Sequence, residues 1–250
     1  MRTPRRLALG LGLVVLLVVN VQAGELQILA GGGIAVPLKE IAAQFERASG
    51  HKIAIRFGTT PQLIKMATGG EAFDLGVVPQ DVMKDSAARA QFASGDMPTV
   101  ARVGLALAVR AGAPKPDIST PEALKATLLK AGSIASIPAS ATGTQLAAVY
   151  EIMGIGEEMK ARTKPQPAPA QIVDAVASGE CDLGVFLVNV LTDPRLDVVG
   201  PFPRDVQREV VYTTAIATGS KEPQAAKAFI DFLLSPAAAE VIKAKAMIPG

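Results

Sequence analysis

The sequence holds no tryptophan, two tyrosines and eight phenylalanines among 250 residues, too few rings for a site that stacks sugars or cages a quaternary amine. A single histidine, His51, and a single cysteine, Cys181, remove further classes of chemistry. With so few of them, neither a Ser-His-Asp triad nor a histidine metal cluster is easily built, and no G-x-S-x-G or Cys-His arrangement is present. His51 lies at a helix-to-strand turn and reads as a solvated turn residue. Cys181 precedes an apolar strand and reads as a small core residue, and one cysteine cannot close an internal disulfide. Glu71 with Asp74, and Glu180 with Asp182, stand at strand starts and read as solvated turn chemistry rather than catalytic carboxylate pairs. The chain is therefore expected not to be an enzyme and to use no cofactor and no metal.

Basic runs are also missing. Arg2, Arg5 and Arg6 precede an apolar run over 7–19, and Val21 and Ala23 fit signal-peptidase cleavage after Ala23. The run is short for a membrane span, so an uncleaved anchor is the weaker reading. Without the three leader arginines, 22 basic residues face 23 acidic ones. That balance gives no electrostatic footprint for nucleic acid or an anionic membrane. No cysteine near residue 24 offers a lipid anchor. These features predict a monomer free in the periplasm of a Gram-negative cell.

What the sequence does have is a repeated unit. ELQILAGGGIAVPLKEIAAQFERASG, residues 25–50, is an apolar strand, three glycines and an amphipathic helix, so backbone N–H groups at the turn are left uncovered. KIAIRF at 52–57 is a second strand, followed by Gly58, Thr59 and a helix in which Thr60 is expected to cap and Pro61 to open the first turn. DLGVV at 74–78 is a third, buried strand. The order β-α-β-α-β-α predicts a parallel sheet covered by helices. TVARVGLALAVR at 99–110 reads as a long strand. Further on come a helix after Thr120 and Pro121, a strand over 133–137, a loop over 138–144, and helices over 145–153 and 171–178. ATGGEAFDLGVV at 67–78 and AVASGECDLGVF at 175–186 repeat one arrangement. This predicts two similarly built lobes, 24–105 with 205–250 and 106–204, joined by two crossings.

Three small or hydroxyl-bearing turns, Gly31 to Gly33, Thr59-Thr60 and Ser140 to Thr144, fall at strand ends. In a parallel α/β sheet that edge binds ligands, and each turn precedes a helix N-terminus that favours negative charge.

ILAGGGIAVPLKEIAAQFERASGHKIAIRFGTT, FDLGVV, GECDLGVF and VVYTTAIATGSKEPQAAKAFIDFLLSPAAAEVIK together resemble the periplasmic molybdate-binding proteins of ABC importers, over nearly the whole mature chain. The resemblance implies the type II periplasmic-binding-protein fold: α/β, two lobes, each a mostly parallel sheet flanked by helices, with a two-strand hinge closing on an oxyanion. It further implies an ABC permease in the inner membrane as partner. Its ligand residues fall on Gly33, on Thr60 or its neighbour Thr59, on Thr142-Gly143-Thr144, near Pro169, and on Leu187; the turn residues Gly32 and Ser140 complete the candidate ligand set. The pattern departs at three places: Gly33 replaces a serine, Leu187 a tyrosine, and Pro169 stands where an amide is used. The leading expectation is an importer's binding protein for a small oxyanion of the molybdate or tungstate kind. Beside it stand a small organic carboxylate as ligand, and a sensor or scaffold that keeps the fold and signals to a membrane receptor.

Overall fold

The computed structural model describes residues 24–250, so the leader and its cleavage site lie outside the described residues. Ten strands are present: β1 (Glu25–Gly31), β2 (Lys52–Gly58), β3 (Leu75–Pro79), β4 (Thr99–Arg110), β5 (Ile134–Ser136), β6 (Thr163–Pro165), β7 (Leu183–Leu187), β8 (Leu196–Pro201), β9 (Glu209–Ile216) and β10 (Ile248–Pro249). Around them lie α1 (Ala35–Ser49), α2 (Thr60–Thr68), α3 (Ser86–Arg89), α4 (Pro121–Lys130), α5 (Ala141–Ile152), α6 (Gly156–Arg162), α7 (Pro169–Ala177), α8 (Val188–Leu191), α9 (Pro223–Leu233) and α10 (Pro236–Ala244). None of the described helices is long and apolar enough to cross a membrane.

The sheet runs β2-β1-β3-β9-β4-β7-β5-β6, with β8 and β10 pairing β4. β1 pairs β2 and β3 in parallel, and β5 pairs β6 and β7 in parallel. Between these parallel sets stand β4 and β9, antiparallel to their neighbours. β4 belongs to both lobes. Its first half pairs β9 as far as Gly104 with Glu209, and from Leu105 onward it pairs β7. The second crossing, 202–208, is not a strand. It is held to the first by the Gln207 side chain, whose Oε1 accepts the Leu105 N–H at 2.9 Å and whose Nε2 donates to the Leu105 carbonyl at 3.0 Å, and by backbone bonds from the Phe202 N–H to the Leu105 carbonyl at 3.1 Å and from the Leu105 N–H to the Arg208 carbonyl at 3.2 Å.

Alternation along β1 explains the layering. Leu26, Ile28 and Ala30 face a core shared with α1 and α9, while Leu29 faces a smaller cluster with Leu63, Phe73 and Phe92 on the other side of the sheet. Phe45 of α1 packs edge-on against Phe229 of α9, with centroids 5.1 Å apart. Its other side is stacked by His51, which is 6 % exposed and whose Nδ1 accepts the Gly24 N–H at 3.1 Å. His51 is thus a buried structural residue and not a solvated one, because the turn folds back onto the α1 aromatic face. Cys181 is buried, as its neighbours in sequence suggest, and burial pushes its thiol pKa up.

The repeated Asp-Leu-Gly motif has a physical role in each lobe. The Asp74 carboxylate accepts the Gln27 N–H at 2.9 Å, the Ser220 hydroxyl at 2.9 Å, and the N–H groups of Lys221 at 3.0 Å and Glu222 at 3.3 Å. It ties β1 to the start of α9 from a buried position, so it is not turn chemistry in solvent. Asp182 accepts the N–H groups of Gly132 at 2.7 Å and Ser133 at 3.1 Å just before β5, and it is exposed. Both carboxylates clamp the start of the neighbouring parallel strand. Charged hydrogen bonds are worth about 1.5–3 kcal/mol each, and exposed ones less. Asp74→Ala is therefore expected to lower unfolding free energy by about 2–3 kcal/mol and Asp182→Ala by about 1 kcal/mol, read by chemical denaturation; equal losses would refute the difference in burial as the cause.

Candidate functional site

Two of the three turns fold differently from the expectation at their first residue, and this decides what is left for a ligand. Thr59, not Thr60, is the N-cap of α2, and the Gln62 Oε1 accepts the Thr59 N–H at 2.8 Å. Thr60 becomes the first helical residue, with a buried hydroxyl that has no hydrogen-bond partner. In the other lobe the loop over 138–144 is largely helix. Ser140 caps α5, accepting the Gly143 N–H at 3.0 Å and donating to the Ile137 carbonyl at 2.6 Å. The beta-branched and glycine residues that argue locally against a helix here are overridden by docking on the sheet edge.

These turns converge on a cavity of about 290 Å³ between the lobes. Gly32 and Gly33, Thr59 and Thr60, Ser140 and Thr142 line it, together with Gly31, Phe57, Gln62, Ile137, Ala168, Pro169, Phe186 and Tyr212. Four chain segments entering helices, at Gly32, Thr60, Ala141 and Pro169, thus end on one space, and the first turns of helices carry partial positive charge. Among the described lining residues none is a carboxylate, an amine, a guanidinium or an imidazole.

Gly143, Thr144 and Leu187 do not line this cavity. Gly143 faces away from it, pressed on the Pro138 carbonyl so closely that no Cβ would fit. Thr144 is exposed, its hydroxyl donating to the Ser140 carbonyl at 3.3 Å. Leu187 is fully buried and it is the preceding residue, Phe186, that reaches the wall.

The residue that sequence reasoning missed is Tyr212. It stands on β9 opposite Pro79 of β3 and is 2 % exposed, with its ring on the cavity. A Cβ at Gly31 would lie 2.7 Å from its Cε1, and a Cβ at Gly33 would collide with its hydroxyl and lie 2.6 Å from the Leu187 Cδ1. The tyrosine hydroxyl therefore occupies the space that a side chain at 33 would take. Burial pushes the Tyr212 phenol pKa up, so the group is protonated and available as a donor at neutral pH. A second missed residue is Asn189, whose Nδ2 donates to the Gly33 carbonyl at 2.8 Å and so ties the far lobe to the glycine turn.

A two-lobed α/β fold with a neutral, donor-lined cleft at the sheet edges defines a solute-binding protein of the type II periplasmic class. The comparisons agree: residues 26–247 match the family model for bacterial extracellular solute-binding proteins, and the chain belongs to that family. It is 33 % identical over 98 % of its length to an aconitate isomerase from a Pseudomonas species, 97 % of which is covered. It is 30 % identical over 95 % of its length to the molybdate-binding protein ModA of Azotobacter vinelandii, 94 % of which is covered. The solved structure of an Azotobacter vinelandii periplasmic molybdate-binding protein superposes with a TM-score of 0.75 at 19 % identity, over 90 % of this chain and 99 % of that one. The resemblance to molybdate-binding proteins is thus real, and divergent.

The crowding at Gly33 is testable. Gly33→Ala is expected to destabilise the fold by about 1–3 kcal/mol through overpacking. Part of that loss should disappear when Tyr212→Phe removes the hydroxyl. Thermal unfolding of the two single variants and the double variant reads the coupling, and strict additivity would show that the hydroxyl is not the obstacle.

Proposed function

We propose that this protein binds a small organic carboxylate, of the di- or tricarboxylate class to which aconitate belongs, in the cleft between its lobes. The observation that carries this reading is the make-up of the cavity. Helix N-termini, the unpartnered Thr60 hydroxyl and the Tyr212 phenol can meet anionic oxygens, while Phe57, Ile137, Pro79 and Phe186 offer carbon to a carbon skeleton. A tetrahedral oxyanion has no use for that apolar wall. The volume lies near the lower end of the range of about 300–1,000 Å³ typical of small-molecule pockets, more than a four-oxygen anion fills. The relative named for aconitate supports the carboxylate; the relative named for molybdate supports the oxyanion, which is the second reading.

The protein acts as a carrier rather than a catalyst in this proposal. Moving a double bond within a carboxylate requires a proton to leave one carbon and reach another, with a base within hydrogen-bond reach. Among the described lining residues the sole titratable group is Tyr212, and a phenol raised by burial is a poor base at neutral pH. The same reading takes the protein as a monomer in the periplasm that delivers its ligand to an ABC permease, with 24–105 and 205–250 as one lobe and 106–204 as the other.

Calorimetry of the purified protein against cis-aconitate, trans-aconitate, citrate, molybdate, tungstate and sulfate separates the readings. Saturable heat with a carboxylate and none with molybdate or tungstate is expected; the reverse selects the oxyanion. Proton NMR of the aconitate mixtures is expected to show no interconversion, and appearance of the other isomer would make the protein an enzyme. Thr60→Val keeps the shape of the side chain and removes only its hydroxyl. It is expected to weaken ligand binding roughly fivefold to tenfold, since a neutral hydrogen bond is worth about 1 kcal/mol, with unfolding free energy unchanged or slightly higher.

A further inference from the structure

Gln62 stands on the wall of the cleft between the lobes, and its amide has a fixed polarity. A backbone N–H can only donate, so the atom that meets the Thr59 N–H at 2.8 Å is the oxygen of the Gln62 amide. The bond belongs to the capping pattern that starts α2, in which the third helical residue reaches back to the N-cap. Capping thus spends the acceptor of the side chain. The Nε2 end, with two protons to donate, is left free of the backbone, and no described residue accepts from it.

Depth separates this donor from the hydroxyls of the same cavity. Tyr212 is 2 % exposed and Thr142 is 3 % exposed, whereas Gln62 is an exposed residue. All three line one space, which therefore offers donors at its buried end and a further donor at its rim. A compact anion seated among the buried donors leaves the rim amide unused. An extended acid with two or more carboxylates can meet both.

We infer that Gln62 is a specificity-determining residue, donating from Nε2 to a second carboxylate of the ligand while a first one sits among the helix N-termini and the buried hydroxyls. The inference rests on the proposed carboxylate function. It adds a reason for this cleft to prefer a di- or tricarboxylate to a monocarboxylate or an inorganic ion. Because the cap already orders the side chain, little of its rotamer freedom remains to be lost on binding.

The test uses trans-aconitate as probe, by calorimetry and by ¹⁵N NMR of side-chain amides. Gln62→Glu keeps an oxygen for the Thr59 N–H and puts a negatively charged oxygen where the NH₂ group stood. It is expected to unfold at the temperature of the parent and to bind trans-aconitate roughly tenfold more weakly or worse. Gln62→Met removes the amide without adding charge, at an exposed position that leaves the core intact. It is expected to weaken binding about tenfold, as for loss of a hydrogen bond to a charged acceptor. In the parent, the Gln62 NH₂ signals, identified by their absence from both variants, are expected to shift on titration and to saturate. A parent protein that binds neither citrate nor either aconitate overturns this inference together with the proposed carboxylate function. Carboxylate binding by the parent with an unmoved Gln62 NH₂ signal, or with equal affinity in folded Gln62→Met or Gln62→Glu, overturns this inference alone.

Discussion

A tyrosine ring can lie flat across the end of a strand only where that strand has no Cβ to hold it off. Gly31 and Gly33 meet that condition for Tyr212, and the architecture of the cleft follows. The ring closes the lobe-one end of the cavity, the hydroxyl enters the space vacated at 33, and Leu187 of the opposite lobe packs onto the same point. Asn189 then fastens the turn from behind through the Gly33 carbonyl. The glycines are therefore a steric requirement of a distant aromatic residue, besides being turn formers. The departure at Gly33 from the molybdate-binding pattern has a structural counterpart: the hydroxyl absent from that residue's own side chain is supplied by β9.

The electrostatics of the cleft rest on dipoles and not on charges. An anion surrounded by neutral donors is held only to the extent that most of its oxygens are met, because each unmatched polar group carries a desolvation cost. Such a site discriminates by shape. A wall containing Phe57, Ile137 and Phe186 adds carbon surface to those donors, which is what favours the proposed carboxylic acid over an inorganic ion. Among the described lining residues none carries a formal charge, and burial pushes the Tyr212 phenol pKa further up.

Much of the fold was legible because it is written locally. Strand, glycines and helix recur with short spacing, a proline follows the cap at Thr120, and the Asp-Leu-Gly motif occurs twice. The carboxyl-edge turns were legible for the same reason, and six of the nine residues read as a ligand set do line one cavity. What stayed hidden depends on partners far along the chain. Asp74 is buried because its carboxylate meets Ser220, 146 residues away. Tyr212 reaches the cleft because β9 inserts between β3 and β4, an antiparallel pairing that no local pattern announces. The start of α5 was misplaced by local propensity, and the one-residue shift at the α2 cap changed Thr60 from a capping group into a free hydroxyl.

The scarcity of aromatic residues has one more consequence. The two tyrosines of the chain line different spaces, Tyr212 the cleft between the lobes and Tyr150 a separate recess on the other side of α5, beside Leu146 and Met159. With no tryptophan to dominate the ultraviolet emission, the intrinsic fluorescence of this protein comes from these two phenols. The molecule thus carries a native optical probe in each space, and replacing either tyrosine by phenylalanine leaves a single-fluorophore protein whose signal belongs to one cavity alone.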